Sequence, residues 1–327
     1  MLQETNTVEK LIQSKVSLAP MAGITDFVLR ELVRAHSTNA LLTTEMISSE
    51  ALVQVPDPVI IKKNNNHSPI VYQLSGHKPI LMAKAAKILE PHADMIDINM
   101  GCPVNKVTKG NDGAALMKTP ELAAELVTAI KESVNIPVSV KFRLGFTADT
   151  MNYVEYGQRM QEAGASFITI HGRTRAQMYG GQADWKKIKK LVENVDIPVF
   201  ANGDVVSIET AIECLEQSDA CGVAIGRGAL GDVTLIGRIE HYLKTGEKLL
   251  PPSIEEKILA LKKHLYAEME LRGELIGLKF VRKFYPYYIS GIKNAAKYRS
   301  VLVTTENVKE IELILEHILK EEKSVVQ

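Results

Sequence analysis

Residues 95–113 read MIDINMGCPVNKVTKGNDG. The first four, Met95-Ile-Asp-Ile, make an apolar run of strand length interrupted by one carboxylate, Asp97. The run then breaks into a loop holding Asn99, Gly101, Cys102 and Pro103. Gly101 tolerates positive φ, while Pro103 fixes its own φ and biases its predecessor toward extended backbone. A thiol at the mouth of a strand, on a loop with Lys106 and Lys109, suits proton-transfer chemistry. Taken alone, Cys102 reads more readily as a small buried residue in a turn. Its company elsewhere in the chain reverses that reading.

Working outward, the same unit of apolar strand, loop and amphipathic helix recurs from Val16 to about Gly246. Strands are expected at Val16–Ala19, Leu41–Glu45, Ile70–Leu74, Met95–Ile98, Val138–Phe142, Phe167–His171, Val199–Asn202 and Cys221–Ile225. Helices are expected between them at Lys78–Leu89, Pro120–Ser133, Met151–Ala163, Trp185–Glu193 and Ser207–Glu216, with Thr119 and Ser207 as caps. Apolar strands alternating with helices imply a parallel sheet, and eight of them imply a (β/α)8 TIM barrel. A doubly wound sheet competes, but polar residues gather at the ends of nearly all eight strands, where barrel enzymes assemble their sites.

After Pro251-Pro252 the pattern changes. Residues Ile254–Glu270, Leu275–Phe284 and Thr304–Glu322 read as helices with no strand signal between them. The expected organisation is a catalytic barrel over residues 1–248 and a small all-helical domain over 249–327. The 327 residues carry 39 Lys plus Arg against 39 Asp plus Glu, a balance that argues against indiscriminate coating of nucleic acid. The three cysteines lack metal-ligand spacing, so no metal and no disulfide framework is expected. The polar start MLQETNTVEKLIQSK lacks the apolar core of a secretory signal, and no apolar run is of membrane-spanning length. A cytoplasmic monomer is the expectation.

The strand ends carry the chemistry. The first gives Ala19-Pro20-Met21-Ala22-Gly23, a small-residue turn able to lie flat against a planar ligand with Met21 packed on it. The second ends at Glu45, and the third offers Gln73, whose amide both donates and accepts. The fourth brings Asn99 and Cys102, the fifth Lys141-Phe-Arg143, the sixth His171-Gly-Arg173-Thr-Arg175. Asn202-Gly203-Asp204 follows the seventh and Gly226-Arg227-Gly228 the eighth, the two loops that commonly bind phosphate in this fold. Arg227 adds a bidentate cation. A phosphorylated planar cofactor is implied, and flavin mononucleotide (FMN) fits. No Gly-x-Gly-x-x-Gly follows a strand, which disfavours a tightly held dinucleotide domain.

The segments LAPMAGITD (18–26), TEM (44–46), YQLSG (72–76), DINMGCPVNKV (97–107), GNDGAALM (110–117), VKFRLG (140–145), IHGRTRAQMYGG (170–181), ANGD (201–204) and GRGALG (226–231) resemble the tRNA-dihydrouridine synthase family, in family order. The bacterial subgroup with a Gly-Cys-Pro-Val/Ala loop is the nearest in appearance. The resemblance implies reduction of the C5=C6 bond of particular tRNA uridines, using FMN and electrons from NADPH or NADH. It implies flavin contacts at Pro20, Met21, Ala22, Gln73, Lys141, His171, Asn202, Gly203, Asp204, Gly226 and Arg227. It further implies a proton donor at Cys102 and a uracil-facing amide at Asn99.

Between Arg272 and Arg299 the basic residues Arg272, Lys279, Arg282, Lys283, Lys293, Lys297 and Arg299 face one acid, Glu274. Interleaved Phe and Tyr side chains make this a candidate tRNA surface, with Arg282 and Lys283 at its centre. Arg173, Arg175 and Gln177 are expected to clamp the tRNA backbone near the pocket. Two other classes stay in view: an FMN barrel oxidoreductase of small molecules, and a non-catalytic tRNA-binding protein.

Overall fold

The computed structural model describes residues 2–55, 61 and 67–325. Eight strands pair in parallel and in sequence order, and the eighth returns to the first: β1 (Val16–Leu18), β2 (Leu41–Ser48), β3 (Ile70–Ser75), β4 (Met95–Met100), β5 (Val138–Arg143), β6 (Phe167–His171), β7 (Val199–Asn202) and β8 (Gly222–Ile225). The barrel expectation holds, with β6 and β7 as expected and the other strands differing by one to three residues at one end. Glu45 therefore lies inside β2 rather than at its end.

Side chains alternate across each strand. Outward positions such as Ile96, Ile98, Val138, Val140, Ile168, Ile170 and Val223 pack under the surrounding helices in one continuous apolar core. That core runs on into the helices after Ile254. Inward, the lowest layer is apolar: Leu41, Val71, Met95, Phe167, Phe200 and Ala224 form a separate cluster, with the Phe167 and Phe200 rings edge to face at 4.9 Å. The helix Leu2–Leu11 supplies Val8 to this cluster, joined by Ile12, and so plugs the barrel floor. Above the floor the inward positions turn polar, through Thr43, Asp97, Ser139 and Thr169, up to Gln73, Asn99, Lys141, His171 and Asn202.

The expected helices form at Pro79–Leu89, Pro120–Ser133, Tyr153–Glu162, Trp185–Val192 and Ile208–Ser218. Ser207 caps its helix by accepting from the Thr210 N–H, whereas Thr119 makes no side-chain cap bond. With φ fixed by Pro120 at the first helical position, that helix starts without one.

Helices at Ile254–Arg272, Glu274–Val281, Tyr285–Tyr288, Ala295–Leu302 and Val308–Val325 complete the chain. They are fastened to the barrel's first loop. Arg272 bridges Asp26 at 2.6 Å and Glu268 at 2.7 Å and stacks on Phe280, 3.9 Å from its centroid. Burial, reinforced by the neighbouring Glu268, raises the Asp26 carboxyl to about 6. Lys283 donates to the Gly23 carbonyl, and Glu45 accepts from the Gly23 N–H, so the turn is gripped from both sides. Gly231, after β8, has φ +75°, and a Cβ there would overlap the Tyr287 backbone. Gly231→Ala should therefore lower unfolding free energy by about 1–3 kcal/mol for the left-handed backbone alone, read as a reduced midpoint in urea.

Candidate functional site

The C-terminal strand ends surround a cavity of about 530 Å³, inside the roughly 300–1,000 Å³ range of small-ligand sites. It brings together Cys102, Pro20, Met21, Ala22, Gln73, Asn99, Lys141, His171, Asn202, Gly203, Asp204, Gly226 and Arg227, residues from seven strand ends distant in sequence. Closure of the barrel is what makes them neighbours.

The loop after β4 is pinned on every side. The Cys102 N–H donates to Asn99 Oδ1 at 2.9 Å, and the Cys102 carbonyl accepts from the Ala114 N–H at 3.1 Å. Gly113, at φ +61°, lets the returning chain pack against Cys102, where a Cβ would sit 2.9 Å from the Cys102 carbonyl oxygen. Arg143 donates from Nε to the Gly101 carbonyl at 2.7 Å and from Nη1 to Thr174 and Met178 carbonyls, tying this loop to the one after β6. The thiol is thereby held half-buried at the cavity wall.

Lys141 projects from β5 and donates to Asn202 Oδ1 at 3.0 Å, while Asn202 Nδ2 donates to the Ala224 carbonyl at 2.7 Å. Withdrawal from water, aided by Arg143, brings the Lys141 ammonium down to about 8. His171 is driven well below its ordinary value by burial and by Arg143, Lys141, Arg173 and Arg227 around it. It is neutral, and because Arg173 donates to its Nε2 at 3.2 Å, its proton sits on Nδ1. Four cations (Lys141, Arg143, Arg173, Arg227) face two carboxylates (Asp97, Asp204) here, so the site has positive charge left for an anion.

The residues expected to clamp tRNA behave differently. Arg173 is 1 % exposed. It donates to Asp204 at 2.6 Å and to the Gly180 carbonyl, with a further bond to the Gly181 carbonyl, and so shapes its own loop. No face of it is left for a backbone phosphate. Asp204 likewise spends its carboxylate on Arg173, the Ala183 N–H and Arg227 at 3.4 Å, and presents chiefly backbone, at φ +58° beside Gly203 at +120°. Gln177 is exposed, but its carbonyl accepts from the Thr174 N–H at 2.7 Å. Arg175 donates to Asn105 and lies over Phe146 at 5.0 Å. Lys283 is committed to Gly23 and to the Phe280 ring at 3.2 Å, and Arg282 pairs with Glu306 at 3.2 Å. Phe284, Tyr285, Tyr288 and Tyr298 are core side chains, not a stacking platform. Among the described Phe and Tyr residues of that segment, only Tyr287 lines the cavity.

Three further residues line the cavity: Arg143, read from the sequence only as a strand-end cation, Tyr287, read only as one of the aromatics of the basic helical segment, and Tyr179, which was given no role. Tyr179 lies between two guanidiniums, 5.7 Å from Arg143 and 5.2 Å from Arg227, at the cavity rim. Its signal was its place in the loop after β6; Tyr287 had none, since only tertiary packing carries it to the barrel mouth.

The family model described as Dihydrouridine synthase (Dus) matches residues 17–323. The chain belongs to the dihydrouridine synthase family. It is 41 % identical over 314 residues to a probable tRNA-dihydrouridine synthase 1 of Synechocystis sp., covering 95 % of this chain and 88 % of that protein. It is 40 % identical over 296 residues to a probable tRNA-dihydrouridine synthase of Rickettsia conorii, covering 89 % of each. It is 37 % identical over 281 residues to tRNA-dihydrouridine synthase B of Shewanella oneidensis, covering 85 % of this chain and 87 % of the other. The solved structure of an old yellow enzyme homologue from Zymomonas mobilis shares the fold, at TM-score 0.51, 12 % identity, 74 % of this chain and 92 % of that one.

Arg173→Met would leave Asp204 without its buried partner. The unfolding free energy should fall by about 3 kcal/mol, measured by urea denaturation, since Arg173 acts by holding the loop.

Proposed function

We propose that the protein reduces the C5=C6 bond of uridine in tRNA to 5,6-dihydrouridine, with FMN as cofactor and Cys102 as proton donor. The observation that carries the reading is one cavity lined by the pinned Cys102, by Lys141 from the neighbouring strand and by the glycine turns after β7 and β8, in a dihydrouridine synthase chain.

The donor set fits an anionic planar group. A Cβ at Gly226 would stand 3.5 Å from Met21 Sδ and 4.0 Å from Ala19 Cβ, both cavity-lining, so any side chain there would occupy ligand space. Gly203, Gly226 and Arg227 would hold the phosphate, Lys141 the electron-rich edge of the ring, and Met21 and Ala22 its flat face. When bound, reduced by a nicotinamide such as NADPH, the flavin supplies a hydride to uracil C6. Negative charge then builds at C5 and O4 of the uracil, and the Cys102 Sγ–H delivers its proton to C5. The loop bonds to Asn99, Ala114 and Arg143 fix the direction from which that proton arrives. The target base leaves the RNA stack to enter the cavity.

The helices after residue 249 are read as the tRNA-facing unit. Exposed Lys279, Lys293 and Lys297 are its phosphate contacts, in place of Lys283. A small-molecule reductase would need no such surface.

Cys102→Ala should leave flavin reduction by NADPH intact and slow flavin reoxidation by tRNA by roughly 10²–10⁴-fold. Stopped-flow absorbance follows the two steps separately, and near-normal reoxidation would return Cys102 to the role of packing.

Lys141 gives a pH dependence of known sign. Below about 8 it is an ammonium and above that neutral, so FMN affinity should weaken as pH rises through this value. Dissociation constants on either side of it should differ in the wild type and coincide in Lys141→Met.

A further inference from the structure

A buried carboxylate under the cavity floor is not used by this mechanism. Asp97, on β4, accepts from Ser139 Oγ at 2.6 Å through one oxygen and from Gln73 Nε2 at 2.7 Å through the other. Gln73 Oε1 in turn accepts from Asn99 Nδ2 at 2.7 Å, and Asn99 Oδ1 accepts from the Cys102 N–H at 2.9 Å and the Gly101 N–H at 3.3 Å.

The chain has a direction. An ionised carboxylate only accepts and a backbone N–H only donates, whereas a carboxamide does either, depending on which way it is turned. Asp97 obliges Gln73 to present its amino group, so Gln73 shows its oxygen to Asn99. Asn99 must then turn its own amino group to Gln73 and its oxygen to the loop amides. Turning either amide over would bring oxygen against oxygen at one end and donor against donor at the other. Asp97 is 4 % exposed and Gln73 fully buried, so no solvent is at hand to repair a wrong orientation.

We propose that Asp97 is a positioning residue, which sets the orientation of Gln73 and Asn99 and through them fixes the loop that carries Cys102. It rests on the reading of Cys102 as proton donor, but the hydrogen-bond direction can be tested without it. Burial raises the Asp97 carboxyl to about 6, against the pull of Ser139, Gln73 and Lys141, so measurements belong well above that value.

Asn99→Asp places a second carboxylate at the far side of Gln73, whose one amino group cannot serve both. Amide hydrogen exchange at Gly101 and Cys102 should accelerate by roughly tenfold or more, or the protein should fail to fold. Adding Asp97→Asn moves the single carboxylate to position 99. The chain is then complete in reverse. Ser139 bonds the new amide at position 97, that amide donates to Gln73, and Gln73 donates to the new carboxylate, which still accepts from the Cys102 N–H. The double variant should regain wild-type exchange within about threefold. Protection unchanged in Asn99→Asp, or a double variant no better than that single one, overturns the proposed direction. In turnover, Asp97→Asn alone should slow tRNA-dependent flavin reoxidation by roughly fivefold while NADPH reduces the flavin normally. Equal effects on both steps, or none, would leave Asp97 without a positioning role, whatever the exchange data say of the chain. If the wild type itself fails to reduce tRNA, the functional reading falls and the exchange result stands.

Discussion

A parallel sheet closed on itself has two faces with different neighbours, and that constraint organises everything else here. Every second residue of each strand points into a space bounded by the other seven strands. The lowest such layer is filled by Leu41, Val71, Met95, Phe167, Phe200 and Ala224 and sealed by the helix Leu2–Leu11. Only above it does the interior become polar, as the same strands turn Thr43, Asp97, Ser139 and Thr169 inward below the cavity. The result is a rigid apolar base under a set of side chains that need fixed directions.

Those directions come from hydrogen bonds in a medium with little water. Lys141 leans on Asn202, and Asn202 on the Ala224 carbonyl; Arg143 links Gly101 to the loop after β6. Several groups placed for chemistry are thus also braces. Arg173 is the reverse case, a cation in a promising loop whose capacity is spent on Asp204, His171 and two carbonyls. Desolvation explains both outcomes. A buried guanidinium must satisfy its donors locally, whereas Arg227, half exposed at the rim, keeps part of its fork for a ligand.

The helical segment tells a similar story at the seam with the barrel. Its basic residues were read as one RNA surface, but Arg272 and Lys283 point inward to Asp26 and Gly23. Most of its aromatic side chains fill a core shared with the barrel. The turn Pro20–Gly23 that lines the cavity is therefore held partly by residues about 260 positions away.

Local sequence was enough for the barrel. Short apolar runs, helix-length amphipathic segments, Ser207 as a cap and glycine turns after β7 and β8 are all encoded within a few residues of themselves. The polar residue at each strand end was equally legible, because a strand that must be apolar makes Gln73, Asn99, Lys141, His171 and Asn202 stand out. What each polar group does with its hydrogen bonds depends on neighbours supplied by closure of the sheet. Thus Arg173 and Arg227 look alike in sequence and differ in burial, and Tyr287 enters the cavity only because Gly231 lets its backbone come close. Fold and the identity of the site's side chains were thus written into the order of residues. Which cations are braces and which are free to bind came from folding alone, because that depends on access to water, a property of the assembled surface.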